Sequence, residues 1–202
     1  MASQLVLVLG GVRSGKSSFA EALAGDLAQK SMGQKVLYVA TGVGIDAEMV
    51  ERIRRHRESR SSDWSTLEEP LELGERLAEH VVEGHPFGGV LIDSLDVWVA
   101  NLILEHEQEI KETAEARIED AAEKLLEVIQ KSSTPFILVS SEVGNSLVPP
   151  DPLGRQFQDI MGLVNQRVAA AADQVYLVVA GIPTVIKPLS NGRVENRAIG
   201  HR

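Results

Sequence analysis

Residues 10–17 read Gly10-Gly11-Val12-Arg13-Ser14-Gly15-Lys16-Ser17, a match to G-x-x-x-x-G-K-[ST]. Small residues let the backbone curl, so that its N–H groups and the start of a following helix face phosphate oxygens. Lys16 adds a point charge for the β- and γ-phosphates, and the Ser17 hydroxyl is placed to ligate Mg2+. The chemistry is the holding of a nucleoside triphosphate. Asp93 closes the apolar run "GGVLID", where phosphate-loop proteins keep the acid that holds Mg2+ through water. An acid there can also cap the next helix, and the two roles are compatible. Asp96 is a weaker substitute for the metal role.

A second candidate lies in "EMVERIRRHRESR". On a helix Arg52, His56 and Arg60 fall at i, i+4 and i+8 and share a face. Glu48 and Arg52, Glu51 and Arg55, and Arg54 and Glu58 are spaced to pair at i, i+4. His56 instead has arginines at both i±4 positions and Ile53 and Ser59 at i±3. No carboxylate on this helix is spaced to hold the ring protonated, and neighbouring cations favour the neutral form. A neutral imidazole is a competent nucleophile toward phosphorus, and the flanking arginines could neutralise phosphate oxygens during displacement. The same pattern also describes a solvated, ion-paired helix with an incidental histidine, which is commoner. His80, His85, His106 and His201 read as surface residues.

The elements that must position these groups alternate along the chain. "QLVLVLGG" is a near-continuous apolar run ended by glycines, as a strand buried on both faces should be. A helix follows from Gly15 to about Lys30, with Phe19, Leu23 and Leu27 repeating at i, i+4, i+8. "QKVLYVATG" is a strand ending near Ala40, and the charged helix opens at Asp46, a suitable N-cap. "LELGERLAEHVV" is amphipathic, and "GGVLIDSL" is a third buried strand. Two helical stretches follow, "VWVANLILEHEQEI" and "TAEARIEDAAEKLLEVIQK", broken around Glu109 to Thr113. "TPFILVSSEVG" is a fourth strand. "VPPDPLG" should be loop, since proline forbids regular structure there. A helix from about Arg155 to Ala172 leads to "QVYLVVAG", beside which "IPTVIK" could pair. This alternation specifies an α/β fold with a mostly parallel central sheet flanked by helices in three layers. One domain should span residues 1–187, followed by a polar tail at 188–202.

Composition narrows the function. A hydrophobic share of 44% over 202 residues supports a single sizeable core. A net charge of -9 argues against a general nucleic-acid binder, which needs a basic surface. With no cysteine, disulfides, thiol catalysis and cysteine-ligated metals are excluded. The first apolar run is too short for a signal peptide or a membrane span. The expected location is the cytoplasm.

At this point the chain resembles a known family, the bifunctional adenosylcobinamide kinase / adenosylcobinamide-phosphate guanylyltransferases of cobalamin biosynthesis. The stretches that carry the resemblance are "LVLGGVRSGKSSFAEALA", "VLYVATG", "EMVERIRRHRESRSSDWSTLEEP", "VLIDSLDVWVANLI" and "SSEVGNSLVPPDPLGRQFQDIMGLVNQRVAAAADQVYLVVAGIP". They run in family order from about Leu5 to Lys187. The resemblance implies a P-loop fold of the RecA-like type and two reactions, the kinase step with Mg2+. The hydroxyl of the aminopropanol arm of adenosylcobinamide is phosphorylated from ATP or GTP, and GMP from GTP is then transferred onto that phosphate. It implies a histidine–GMP intermediate at His56, because His56, Arg60 and Trp64 fit the family's H-x-x-x-R…W pattern. It also implies nucleotide contacts from the loop, from Ala40, Thr41 and Gly42, from Arg57, Glu58, Ser59 and Arg60, from Glu68 and from Asp93. The implied partners are adenosylcobinamide, adenosylcobinamide phosphate and further copies of the chain in a homotrimer. The sequence departs from the family at Ser61, where the family has proline, and at "SEVGNS" (Ser141 to Ser146) in place of N-E-V-G-x-G. Asp93 stands where some relatives have glutamate. The residues alone also admit a monofunctional P-loop small-molecule kinase or a GTP-binding switch protein.

Overall fold

The computed structural model describes residues 4–31, 34–44, 51, 54, 61, 63–82 and 87–188. The phosphate-loop strand β1 (Leu5–Gly10) is buried along its whole length, and α1 (Lys16–Lys30) follows the loop. Next come β2 (Val36–Ala40), β3 (Ser65–Glu68) and the short α2 (Leu73–Leu77), which runs on into a π-helical turn at Ala78–Val82. Then follow β4 (Gly89–Asp93), α3 (Leu95–Glu105), α4 (Lys111–Lys131), β5 (Phe136–Ser141), α5 (Pro152–Ala171), β6 (Gln174–Val179) and β7 (Ile182–Lys187).

The seven strands form one sheet in the order β3-β2-β4-β5-β1-β6-β7. All neighbours pair in parallel except β7, which turns back antiparallel on β6. β5 thus separates β1 from β4, the strand that ends in Asp93. Side chains alternate between the two faces, so both faces of the central strands must be covered. Leu5, Leu7 and Leu9 of β1 pack with Trp98 and Leu102 of α3, Ile118 and Leu125 of α4 and Met161 and Val164 of α5. Val6 and Val8 pack on the other face with Ala20 and Ala24 of α1, and Phe19, Leu23 and Leu27 flank those alanines. The expected three layers are present.

The helix expected from Arg155 begins at Pro152: proline at the first helical position gives up no backbone bond, and Asp151 caps the end by accepting from the Gly154 N–H at 2.7 Å. β3 leaves no signal in the sequence, because only Leu67 of its four residues is buried and no periodicity shows over so short a run. The break between the two central helices falls between Glu105 and Lys111. No helix among the described residues is long and apolar enough to cross a membrane. Residues 189–202 of the tail lie outside the described residues.

Candidate functional site

The loop from Gly10 to Ser17 connects β1 to α1 at the C-terminal edge of the sheet, where open α/β sheets bind ligands. Its shape depends on where side chains are missing. A Cβ at Gly10 would lie 2.4 Å from the Ser14 hydroxyl and 2.8 Å from the Val178 carbonyl oxygen. Gly15 caps α1 at φ 91°, in the left-handed region that favours glycine. Arg13 also has positive φ, at 56°. The Ser14 N–H donates to the Gly11 carbonyl at 3.2 Å, closing the turn. The Ser14 hydroxyl is buried without a hydrogen-bond partner among the described residues. Val12 is exposed at the outer rim. The Lys16 ammonium folds back and donates to the Gly11 carbonyl at 3.3 Å, so it lies over the loop where phosphates would sit.

The β6–β7 turn braces this loop. Gly181, at φ 80°, donates its N–H to the Ser14 carbonyl at 2.8 Å. A Cβ on Gly15 would come within 3.3 Å of the Gly181 Cα. Nothing in the sequence motif points to Gly181.

Ser17 and Asp93 face each other: the Ser17 hydroxyl donates to Asp93 Oδ1 at 3.4 Å. Tyr38 O–H donates to Asp93 Oδ2 at 2.9 Å and holds the carboxylate from the β2 side. The Trp64 ring leans on Tyr38, with centroids 6.3 Å apart. A hydroxyl and a carboxylate are hard oxygen ligands, and the long hydrogen bond between them is one that Mg2+ could replace. The donor set fits that ion.

Sheet register gathers further residues at the same edge. Ala40 pairs with Glu68 on one side and with Asp93 on the other. Side chains in register project from one face, so Glu68, Ala40 and Asp93 form a row. Glu68 is exposed, whereas Ala40 and Thr41 are buried. The Thr41 hydroxyl donates to the Ser94 carbonyl at 2.8 Å and accepts from the Ser94 N–H at 2.9 Å. Asn101, from apolar α3, donates to the carbonyls of Thr41 (2.9 Å) and Pro70 (3.2 Å). Thr41 thus ties the end of β2 to the end of β4, which leaves Gly42, half-buried, as the more open residue of the trio. The polar Asn101 within "VWVANLIL" was the sequence signal for this clamp.

Beyond β5, Ser141 O–H donates to Asp96 Oδ2 at 2.8 Å. Asn165 of α5 accepts from Ser140 at 2.6 Å and donates to the Ser141 carbonyl at 3.0 Å, fixing the strand end. His56, Arg57, Glu58, Ser59 and Arg60 lie outside the described residues. Of that helix Glu51 and Arg54 are described, both helical, with Arg54 Nε and Glu51 Oε2 paired at 2.7 Å. The connection holding His56 leaves β2 beyond Ala40, beside Asp93, and returns before β3.

The model of the cobinamide kinase / cobinamide phosphate guanyltransferase family matches residues 6–186. The chain belongs to that family. It is 39% identical over 189 residues to the bifunctional adenosylcobalamin biosynthesis protein CobU of Salmonella typhimurium, covering 91% of this chain and 99% of that protein. Identity to the bifunctional adenosylcobalamin biosynthesis protein CobP of Pseudomonas aeruginosa is 38% over 181 residues, covering 90% and 96%. Among solved structures, a KaiC-like protein from Pyrococcus horikoshii aligns at a TM-score of 0.45 and 14% identity, over 86% of this chain and 70% of that one. That likeness is too distant to bear on function. The family match, by contrast, runs through the phosphate loop, Asp93 and the His56 segment alike.

Proposed function

We propose that this member of the cobinamide kinase / cobinamide phosphate guanyltransferase family runs both reactions at one phosphate loop. In the first, the hydroxyl of the aminopropanol arm of adenosylcobinamide attacks the γ-phosphorus of ATP or GTP and a nucleoside diphosphate leaves. In the second, His56 attacks the α-phosphorus of GTP and pyrophosphate leaves. The phosphate of adenosylcobinamide phosphate then displaces the histidine, giving adenosylcobinamide-GDP. The observation that carries this reading is the Gly10–Ser17 loop facing Asp93 across 3.4 Å, in a chain whose family match spans residues 6–186.

Each group has a physical task. Backbone N–H groups of the loop other than that of Ser14 cradle the phosphates, and Lys16 leaves the Gly11 carbonyl to neutralise them. Ser17 and Asp93 would hold Mg2+, which screens phosphate charge when bound. The guanine ring presents N1–H and N2–H2 donors, for which the Glu68 carboxylate is a matched acceptor. Arg57 and Arg60 stabilise charge on the α-phosphate as His56 attacks, and Ala40, Gly42, Glu58 and Ser59 complete the nucleotide pocket. Use of nucleoside triphosphates supports a cytoplasmic location. A homotrimer fits the exposed Ile182, Val185 and Ile186 along edge strand β7.

The test is product analysis. Purified protein with adenosylcobinamide, GTP and Mg2+ should yield the phosphate first and the GDP adduct second, resolved by chromatography and mass. Phosphate without adduct would make the chain a kinase alone, and GTP binding with no corrinoid product would make it a switch.

A further inference from the structure

The kinase step requires a group that takes the proton of the attacking hydroxyl. The described carboxylates at the C-terminal edge of the sheet can be sorted by what already holds them. Asp93 faces Ser17 with one oxygen and accepts from Tyr38 with the other. Asp96 is held by Ser141 through Oδ2, and its Oδ1 is buried. Glu69 accepts from the N–H groups of Leu71 and Glu72 and pairs with Arg76. Glu68 stands at the end of β3, with β2, β4 and β5 between it and β1.

Glu142 is placed differently. It follows the last residue of β5, the strand between β1 and β4, so its backbone lies in sheet order between the phosphate-loop strand and the strand that ends in Asp93. Its N–H donates to the Gly10 carbonyl at 3.2 Å, tying its backbone to the first residue of the loop. Its Oε1 accepts from the Gly144 N–H at 2.7 Å, which fixes the carboxylate. Its Oε2 has no hydrogen-bond partner among the described residues, and the residue is half-buried.

We propose that Glu142 is the general base of the kinase step, a role that rests on the two-reaction reading above. The hydroxyl proton passes to Oε2 as the substrate oxygen bonds to the γ-phosphorus. The bond from that phosphorus to the β-phosphate bridging oxygen breaks, and the nucleoside diphosphate leaves with the electron pair. Guanylyl transfer makes no such demand, because its acceptor is a phosphate oxygen that is already ionised at neutral pH. Glu142 therefore serves one of the two reactions.

The experiment assays the steps separately, with adenosylcobinamide for phosphorylation and adenosylcobinamide phosphate for guanylyl transfer. Glu142→Gln keeps an acceptor oxygen for Gly144 and removes only the basicity. Its kinase kcat should fall about 100-fold or more. Its guanylyl transfer and its affinity for a fluorescent triphosphate should stay within about threefold of wild type. Gly144→Ala adds a Cβ that would lie 2.9 Å from Glu142 Oε1, so it should displace the carboxylate and slow the same step. Glu142→Asp, which keeps the charge, should recover part of the rate. A kinase rate preserved in Glu142→Gln overturns the proposal. So does an equal loss in both steps, the mark of a structural role. If the wild type transfers no GMP while Glu142→Gln still loses phosphorylation, the two-reaction reading falls and the base assignment stands.

Discussion

At the residue scale the site is built from absences as much as from functional groups. Lys16, Ser17 and Asp93 can act only if the loop lets phosphates approach its backbone, and Gly10 is where that constraint is tightest. A methyl there meets the Ser14 side chain at 2.4 Å and the Val178 backbone at 2.8 Å. The serine could turn, but the carbonyl belongs to a buried strand and cannot move cheaply. Gly10→Ala should therefore destabilise the fold by about 1–3 kcal/mol, read as a lowered Tm in thermal unfolding, and weaken triphosphate binding. An unchanged Tm would show that the loop has room to spare. The groups Gly10 to Ser17 and Asp93 were legible in the sequence because the motif is local and Asp93 closes an apolar run. Tyr38 was not, although it holds Asp93: its hydroxyl reaches a partner 55 residues away, and in "VLYVA" it looks like one more core residue.

At the scale of elements, continuous apolar runs announced every buried central strand, since a strand covered on both faces has no alternation to hide. The edge was less legible. β3 buries one residue of four, and the strand order depends on crossovers that no local pattern encodes. The start of α5 is hidden because prolines in sequence look like breakers, whereas Pro152 opens the helix. The β6–β7 hairpin shows what such an element does for the site. Ala180 and Gly181, at φ 50° and 80°, make a two-residue turn of the kind that suits twisted hairpins. That turn delivers an N–H to the Ser14 carbonyl. Gly181→Val places a β-branched residue in the left-handed region, at a cost of about 1–2 kcal/mol. The turn should shift, and triphosphate affinity should fall several-fold in a fluorescence titration while the far-UV spectrum is kept. Unchanged affinity would mean that the loop holds its shape without the brace.

At the scale of the whole molecule, one sheet edge assembles the phosphate loop, Asp93, Glu68 and Glu142, and the connection carrying His56 departs from the same edge. The far side of the sheet ends in β7, whose Ile182, Val185 and Ile186 are exposed. Light scattering after size exclusion should report a trimer, and Ile182→Glu with Ile186→Lys should release monomers. A monomeric wild type would remove β7 as an assembly edge. The central claim is that a loop recognisable only as a triphosphate holder serves two displacements, at the γ- and the α-phosphorus, and that His56 carries the second. GTP labelled at the α-phosphorus, incubated with the protein and Mg2+, tests it most directly. The protein should acquire an acid-labile, base-stable label that His56→Ala lacks and that adenosylcobinamide phosphate discharges. Equal labelling of His56→Ala, or no label on the wild type, would contradict it.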